Sequence, residues 1–183
     1  MKPNSTAIHF TATPLIVRSH MLIRLPEVAS NQLPSRGQVA VIGAIDTHEF
    51  QTVLEPDGYW GHFMKISKDL QKHAAITAGT TVTLKLTPSK EWPEPTVPKD
   101  FAVALAAASQ KVKDKWHDIT PMARWEWIRW VNATGNTDTR AMRIKKSISK
   151  LDGKHRRPCC FNLAACTVPE LSRNGRLIEP TTV

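Results

Sequence analysis

Thr87-Pro88-Ser89-Lys90-Glu91-Trp92-Pro93-Glu94-Pro95-Thr96-Val97-Pro98 places four prolines in twelve residues. Proline has no amide hydrogen and a fixed φ, so this stretch cannot continue a helix or a central strand, and it divides the chain. Before it, the residues alternate or run β-rich over Ile8–Ala12, His20–Leu25, Gln38–Asp46, Glu49–Leu54, His62–Ile66 and Thr80–Leu86. Turn chemistry such as Pro34-Ser35-Arg36-Gly37 and Glu55-Pro56-Asp57-Gly58 separates these runs. Six short strands predict a small closed or nearly closed sheet, because closure leaves no long unpaired edge to recruit other chains. Two helical pieces interrupt them, near Pro26–Gln32 and Ser67–His73, the second with Ser67 as its cap.

After the proline stretch the period changes. Lys99–Ser109 is Ala-rich, with Phe101 and Leu105 available for packing. Thr120-Pro121, an N-cap followed by proline at the first helical position, opens a helix to about Ala133. A third helix starts near Asn136 or Thr137 and stops at Gly153, with Ala141, Ile144, Ile148 and Leu151 as its apolar stripe. The fold class is therefore α+β: a six-stranded β-barrel over residues 5–95, an all-helical domain over 96–162, and an irregular tail over 163–183.

The charge is uneven. Residues 1–98 hold 9 Lys/Arg against 8 Asp/Glu, a net of +1, whereas residues 99–183 hold 16 against 8, a net of +8. Arg140, Arg143, Lys145, Lys146, Lys150, Lys154, Arg156 and Arg157 stand against the single Asp152 within 140–157. An anionic partner is expected to meet that stretch, and nucleic acid is one such partner. No run of about 18 apolar residues occurs, and Met1-Lys2-Pro3-Asn4-Ser5 lacks the apolar core of a secretory signal. The expectation is a cytoplasmic protein without membrane insertion.

Trp125, Trp127 and Trp130, with Trp116 just before them, are the most unusual local feature. At roughly 100° per residue, Trp127, Ile128 and Val131 face one way and Trp125 and Trp130 flank them about 140° apart. The indoles either fill a core or leave one flanking Trp to stack on a ring beside Arg124 or Arg129. Arg140 and Arg143 project near a helix start, where they either hold a phosphate or carboxylate or pair with Asp138 or Asp118. Cys159, Cys160 and Cys166 with His155 do not have the spacing of a structural zinc site, so no metal is assigned. His62, after a turn in Gly61-His62-Phe63, either points into a barrel mouth with Asp46 or Glu55 or is a hydrogen-bonded structural residue. No HExxH, GxSxG or phosphate-loop pattern accompanies the histidines, and no cofactor is implied. The ligand-binding candidates are Trp127, Trp130, Arg140, Arg143 and His62.

Arg24-Leu25-Pro26, Val41-Ile42-Gly43-Ala44-Ile45, Leu54-Glu55-Pro56-Asp57-Gly58 and Gly61-His62 resemble a bacterial domain of unknown function. Ile119-Thr120-Pro121, Trp127-Ile128, Ala133-Thr134-Gly135-Asn136, Thr139-Arg140, Arg143-Ile144 and Arg156-Arg157-Pro158-Cys159-Cys160-Phe161-Asn162 resemble the helical domain of YdeI/OmpD-associated, or bacteriocin-protection, proteins. The resemblance spans roughly residues 6–162. It implies a double-split barrel, an architecture shared with some DNA-binding domains, and a role in envelope stress or resistance to bacteriocins and antimicrobial peptides. It implies no reaction. The chain departs from it at Gly135, where relatives carry Lys, at Thr137, where they carry Pro, and at Gly79-Thr80, where they carry Gly-Asp. The leading expectation is a non-catalytic binding module for an anionic ligand or a protein partner. Nucleic-acid binding stands second, and an enzyme or Cys/His metal site third.

Overall fold

The computed structural model describes residues 6–159 and 162–180. The chain divides into two compact units. One comprises the residues through Pro93, Leu163–Cys166 and those from Glu170 on; the other comprises Glu94–Asn162 and Thr167–Pro169.

The first unit is built on one antiparallel sheet of seven strands: β1 (Ile8–Ala12), β2 (Leu15–Val17), β3 (His20–Arg24), β4 (Val39–Ile45), β5 (His48–Pro56), β6 (His62–Lys65) and β7 (Val82–Pro88). Their spatial order is β1-β7-β4-β5-β6-β3-β2. Ile8 from one edge and Ile23 and Met64 from near the other belong to a single buried cluster with Val41, Leu54 and Leu84, so the sheet curls around its core. All six expected strands are present. The seventh corrects the six-stranded expectation: β2 is three residues long and joins β3 through Arg18-Ser19, with Arg18 at φ 54°. A hairpin without Gly or Asn in its turn carries no sequence signal for that conformation. Pro88 ends β7 opposite Val41, beyond the last β1 partner of that strand at Leu86, where only one neighbour requires hydrogen bonds. Helix α1 (Glu27–Ser30) and helix α2 (Lys68–His73) fall where expected, and the Ser67 side chain accepts the amide of Leu70 at its N-terminus.

The second unit contains α3 (Lys99–Ala107), α4 (Gln110–Asp118), α5 (Pro121–Asn132) and α6 (Thr137–Asp152). Ser109, Thr120 and Asn136 cap α4, α5 and α6 by accepting the amides of Val112, Ala123 and Thr139. Helix α4 was not expected, because Val112 and Trp116 are its only buried residues in an otherwise charged segment. Phe101, Trp116, Trp127, Val131, Ile144 and Leu151 form the core, with Phe101 and Trp116 edge to face at 5.4 Å. On α6 the stripe keeps Ile144, Ile148 and Leu151, but Ala141 is exposed and Ser147 is buried instead.

The tail is not irregular throughout. Ser172–Arg173 (β8) and Arg176–Leu177 (β9) form a hairpin whose turn residues Asn174 and Gly175 both have positive φ, 52° and 76°. Asn-Gly is the residue pair that such a turn favours. Leu171 and Leu177 are buried, Leu177 donates its amide to the Asp57 carbonyl at 2.8 Å, and Arg24 forks onto Glu179 at 2.8 and 2.9 Å. The hairpin backbone lies so close to the β5–β6 loop that a Cβ on Gly58, itself at φ 80°, would sit 2.2 Å from the Gly175 carbonyl oxygen. Gly58→Ala combines that clash with a left-handed backbone and should destabilise the first unit by roughly 2 kcal/mol. The check is amide exchange, which should accelerate in β5 and β6 and stay unchanged in α5; intact β5 protection would show that the loop tolerates the hairpin's displacement.

Candidate functional site

In the helical unit the structure brings Trp127, Trp130, Arg140 and Arg143 together on α5 and α6, but mostly with their polar groups turned inward. Trp127 is fully buried and its indole N–H donates to the Arg156 carbonyl at 3.1 Å. It packs edge to face against half-buried Trp130, with ring centroids 6.2 Å apart. The Arg143 guanidinium lies 5.6 Å from the Trp130 ring centre and also donates to the Trp130 carbonyl at 2.8 Å. Arg140 forks onto Asp100 at 2.6 and 2.9 Å and donates to Asn132 Oδ1 at 2.8 Å. Its guanidinium holds the Asp100 carboxyl below the usual carboxylate range. The partner is thus Asp100 on α3, neither Asp138 nor Asp118.

The same economy governs the neighbouring cations. Arg156 bonds Asp118, Arg157 forks onto Glu126, and Arg124 forks onto Glu94 while donating to the carbonyls of Trp116 and Ile119 at the end of α4. Lys145, Lys146 and Lys154 remain exposed. The basic stretch is in large part an internal fastening of the helices.

His62 belongs to the other unit and is sealed there. Its Nε2 lies 2.9 Å from the Gly37 carbonyl oxygen, which can only accept, so Nε2 carries the proton. Nδ1 then accepts the Ser30 hydroxyl at 2.7 Å. Burial pushes the imidazole below the ordinary histidine value, against the opposing pull of the Gly37 carbonyl and the Asp57 carboxylate. Neither expected companion joins it: Asp46 accepts the Thr83 amide at 3.1 Å and Glu55 accepts the Gln38 side chain at 2.8 Å. With Ser30 1% exposed and His62 not at all, the pair is a tether between β6, α1 and the Gly37 loop, closed to a substrate.

Above this tether lies a cavity of about 420 Å³ that the sequence reading missed. Its lining includes Glu27, Ser30, Asn31, Arg36 and Asp57, together with the aromatic residues Tyr59 and Trp60. The rim is held by Asp57, whose Oδ1 accepts the amides of Tyr59 and Gly61 at 2.7 and 2.9 Å. Trp60 is 73% exposed and sits at φ 69°, a conformation that side-chain-bearing residues rarely adopt. Arg36 donates to the Trp60 carbonyl at 3.1 Å and to Asn31 Oδ1 at 2.7 Å, and among the described residues no carboxylate neutralises it. Two aromatic residues between the turn glycines Gly58 and Gly61 were the available signal, since a turn needs no aromatic side chains.

Cys166 is buried in the first unit, Cys159 is exposed in the second within 2.8 Å of Lys150 Nζ, and Cys160 lies outside the described residues. Among the described residues no group of three or more His, Cys, Asp or Glu could hold a metal ion, and no helix is long and apolar enough to cross a membrane.

A curled antiparallel sheet with a rimmed cavity, followed by a helical unit fastened through arginine–carboxylate forks, defines a two-unit α+β protein. Residues 10–86 match the model of a domain of unknown function, DUF1905, and residues 94–153 match the family described as bacteriocin-protection, YdeI or OmpD-associated. The helical unit thus matches the YdeI/OmpD-associated family model, and a DUF1905 match precedes it, as the resemblance implied. No curated protein matches the chain.

The neutral His62 has a direct consequence for stability. An unfolded chain takes up a proton near the ordinary histidine value of 6.5, whereas the folded one resists protonation to lower pH. Stability of the first unit is therefore full above that value and declines as pH falls below it toward the folded pKa. His62→Gln, which retains a donor for Gly37, should flatten this part of the pH profile of urea unfolding. A profile as steep as that of the parent protein would assign the acid sensitivity elsewhere.

Proposed function

We propose that the chain is a non-catalytic recognition module whose ligand site is the cavity of the N-terminal unit, and that its ligand combines a flat ring with an anionic group. The observation that carries this reading is Arg36: a half-buried guanidinium bonded only to neutral oxygens beside an exposed indole. A guanidinium binds carboxylate or phosphate with charge-assisted forks, and an exposed indole face offers a stacking surface. The cavity's volume of about 420 Å³ falls in the range for small-ligand pockets. In the helical unit, Arg140, Arg156 and Arg157 already have carboxylate partners, which weakens the case for an anion there.

The double-split barrel remains our reading of the curled sheet, with β2 as an added strand. The matched family's description supplies the setting, protection against bacteriocins, and we place the protein in the cytoplasm. A net charge of +9 speaks against direct capture of a cationic antimicrobial peptide, so the protective role runs through a different, anionic ligand.

Nucleoside monophosphates and aromatic carboxylates should move the indole N–H resonance of Trp60 in a nitrogen–proton correlation spectrum, and neutral nucleosides should not. Arg36→Ala should weaken that binding by about tenfold or more. A Trp60 resonance unmoved by any of these anions at millimolar concentration rejects the reading.

A further inference from the structure

The cavity does not end at Tyr59. The same side chain walls a second hollow of about 490 Å³, lined also by Arg173, Asn174 and Arg176 of the tail hairpin and by Glu179. Arg173 and Arg176 are cross-strand partners, directly opposite each other, and so project from the same face of the hairpin. Both are exposed, and among the described residues neither has a carboxylate partner; the nearby Glu179 is engaged by Arg24. Like charges placed opposite each other destabilise a hairpin. The Arg176 guanidinium lies 5.3 Å from the centre of the Tyr59 ring, which fixes one of the two cations against the wall that the hollows share.

The surface therefore runs from Trp60 and Arg36, past Tyr59, to a pair of uncompensated guanidiniums. Aromatic side chains and cations thus share the lining of both hollows. We infer that the ligand is a single-stranded oligonucleotide, with one base against Trp60, a phosphate at Arg36 and a following phosphate between Arg173 and Arg176. This inference rests on the cavity reading above and deepens it. Single-strand sites join stacking platforms to cations that follow the backbone, and stacking tolerates any base because each has a π face. Glu27 and Asn31, which also line the first hollow, offer an acceptor and an amide to a base edge. A compact anion would need only the first hollow, whereas a phosphodiester chain explains why a second cationic hollow adjoins it.

The test uses the full chain and a fluorescein-labelled oligothymidylate of about eight nucleotides, read by anisotropy across a salt titration. Thymidine monophosphate and a polyglutamate peptide serve as comparison probes. The oligonucleotide should bind more tightly than the monophosphate, with a log–log salt slope near −1.4, about −0.7 for each of the two phosphates engaged. Arg173→Ala with Arg176→Ala should bring that slope to about −0.7 and weaken oligonucleotide binding by tenfold or more, leaving the monophosphate unaffected. Trp60→Ala should weaken both nucleotide probes by about tenfold. Monophosphate binding with no gain for the oligonucleotide, or a double variant indistinguishable from the parent, overturns the extended site and leaves the cavity reading standing. Failure of both nucleotide probes overturns the oligonucleotide inference, while the aromatic carboxylates still decide the cavity. Polyglutamate binding as tight as the oligonucleotide also overturns it, because a peptide without rings gains nothing from stacking.

Discussion

The Asp57 carboxylate is the constraint on which the proposed ligand-binding face of the N-terminal unit depends. One of its oxygens accepts two backbone amides, from Tyr59 and Gly61, and its own amide and carbonyl bond Gly61 and Leu177. A charged acceptor shared by two amides is stronger than neutral hydrogen bonding, and here it closes a loop whose intervening residues Gly58 and Trp60 both have positive φ. The loop shape in turn sets where Tyr59 and Trp60 stand, and the Asp57 carbonyl seats the tail hairpin. Sheet, cavity rim and C-terminal hairpin are thus coupled through one residue that is itself 8% exposed.

A different economy operates in the helical unit. Arg140–Asp100, Arg124–Glu94, Arg156–Asp118 and Arg157–Glu126 each join residues about thirty to forty positions apart, as their contacts record. Where such pairs are exposed, as Arg156–Asp118 is, they contribute little to stability in water, on the order of 1 kcal/mol or less. Their forked geometry is directional, however, and four of them acting between different segments select one arrangement of helices over others with a similar apolar core. A high positive charge on a sequence is therefore not the same as a high positive charge available to a partner.

Much of the fold could be read from local pattern. Alternation revealed six strands, and Ser67, Thr120 and Asn136 marked the helix starts that the structure confirms. What stayed hidden has physical reasons. Helix α4 owes its place to just two buried residues, Val112 and Trp116, too few to produce an apolar stripe. Strand β2 turns into β3 through Arg18 in a left-handed conformation, which no turn rule anticipates for arginine. The Asn174-Gly175 turn was legible by the ordinary hairpin rule and was passed over among the charged residues of the tail. The candidate site was hidden more deeply. Counting charge by halves assigned Arg173 and Arg176 to the basic C-terminal half, whereas the chain returns to place them in the N-terminal unit. Long-range return of this kind leaves no mark in residue spacing. The paired arginines of α6 were conspicuous in sequence for the converse reason: the carboxylate partner of Arg140 lies on α3, and the ring and carbonyl that Arg143 meets lie on α5.

Local costs gather on the face that Asp57 organises. Trp60 holds a left-handed backbone, which costs roughly 1–2 kcal/mol for a residue with a side chain, and leaves most of its indole in water. Arg173 and Arg176 stand opposite each other without an anion among the described residues. Within the unit Trp60 gains a bond from Arg36 to its carbonyl and Arg176 a contact with the Tyr59 ring, whereas the same chain finds carboxylates for Arg24, Arg124, Arg140, Arg156 and Arg157. Folding alone would favour a glycine at position 60 and an opposite charge at 173 or 176. Stability alone does not account for the residues present, whereas the proposed site for an anion with stacked rings fits both departures at once.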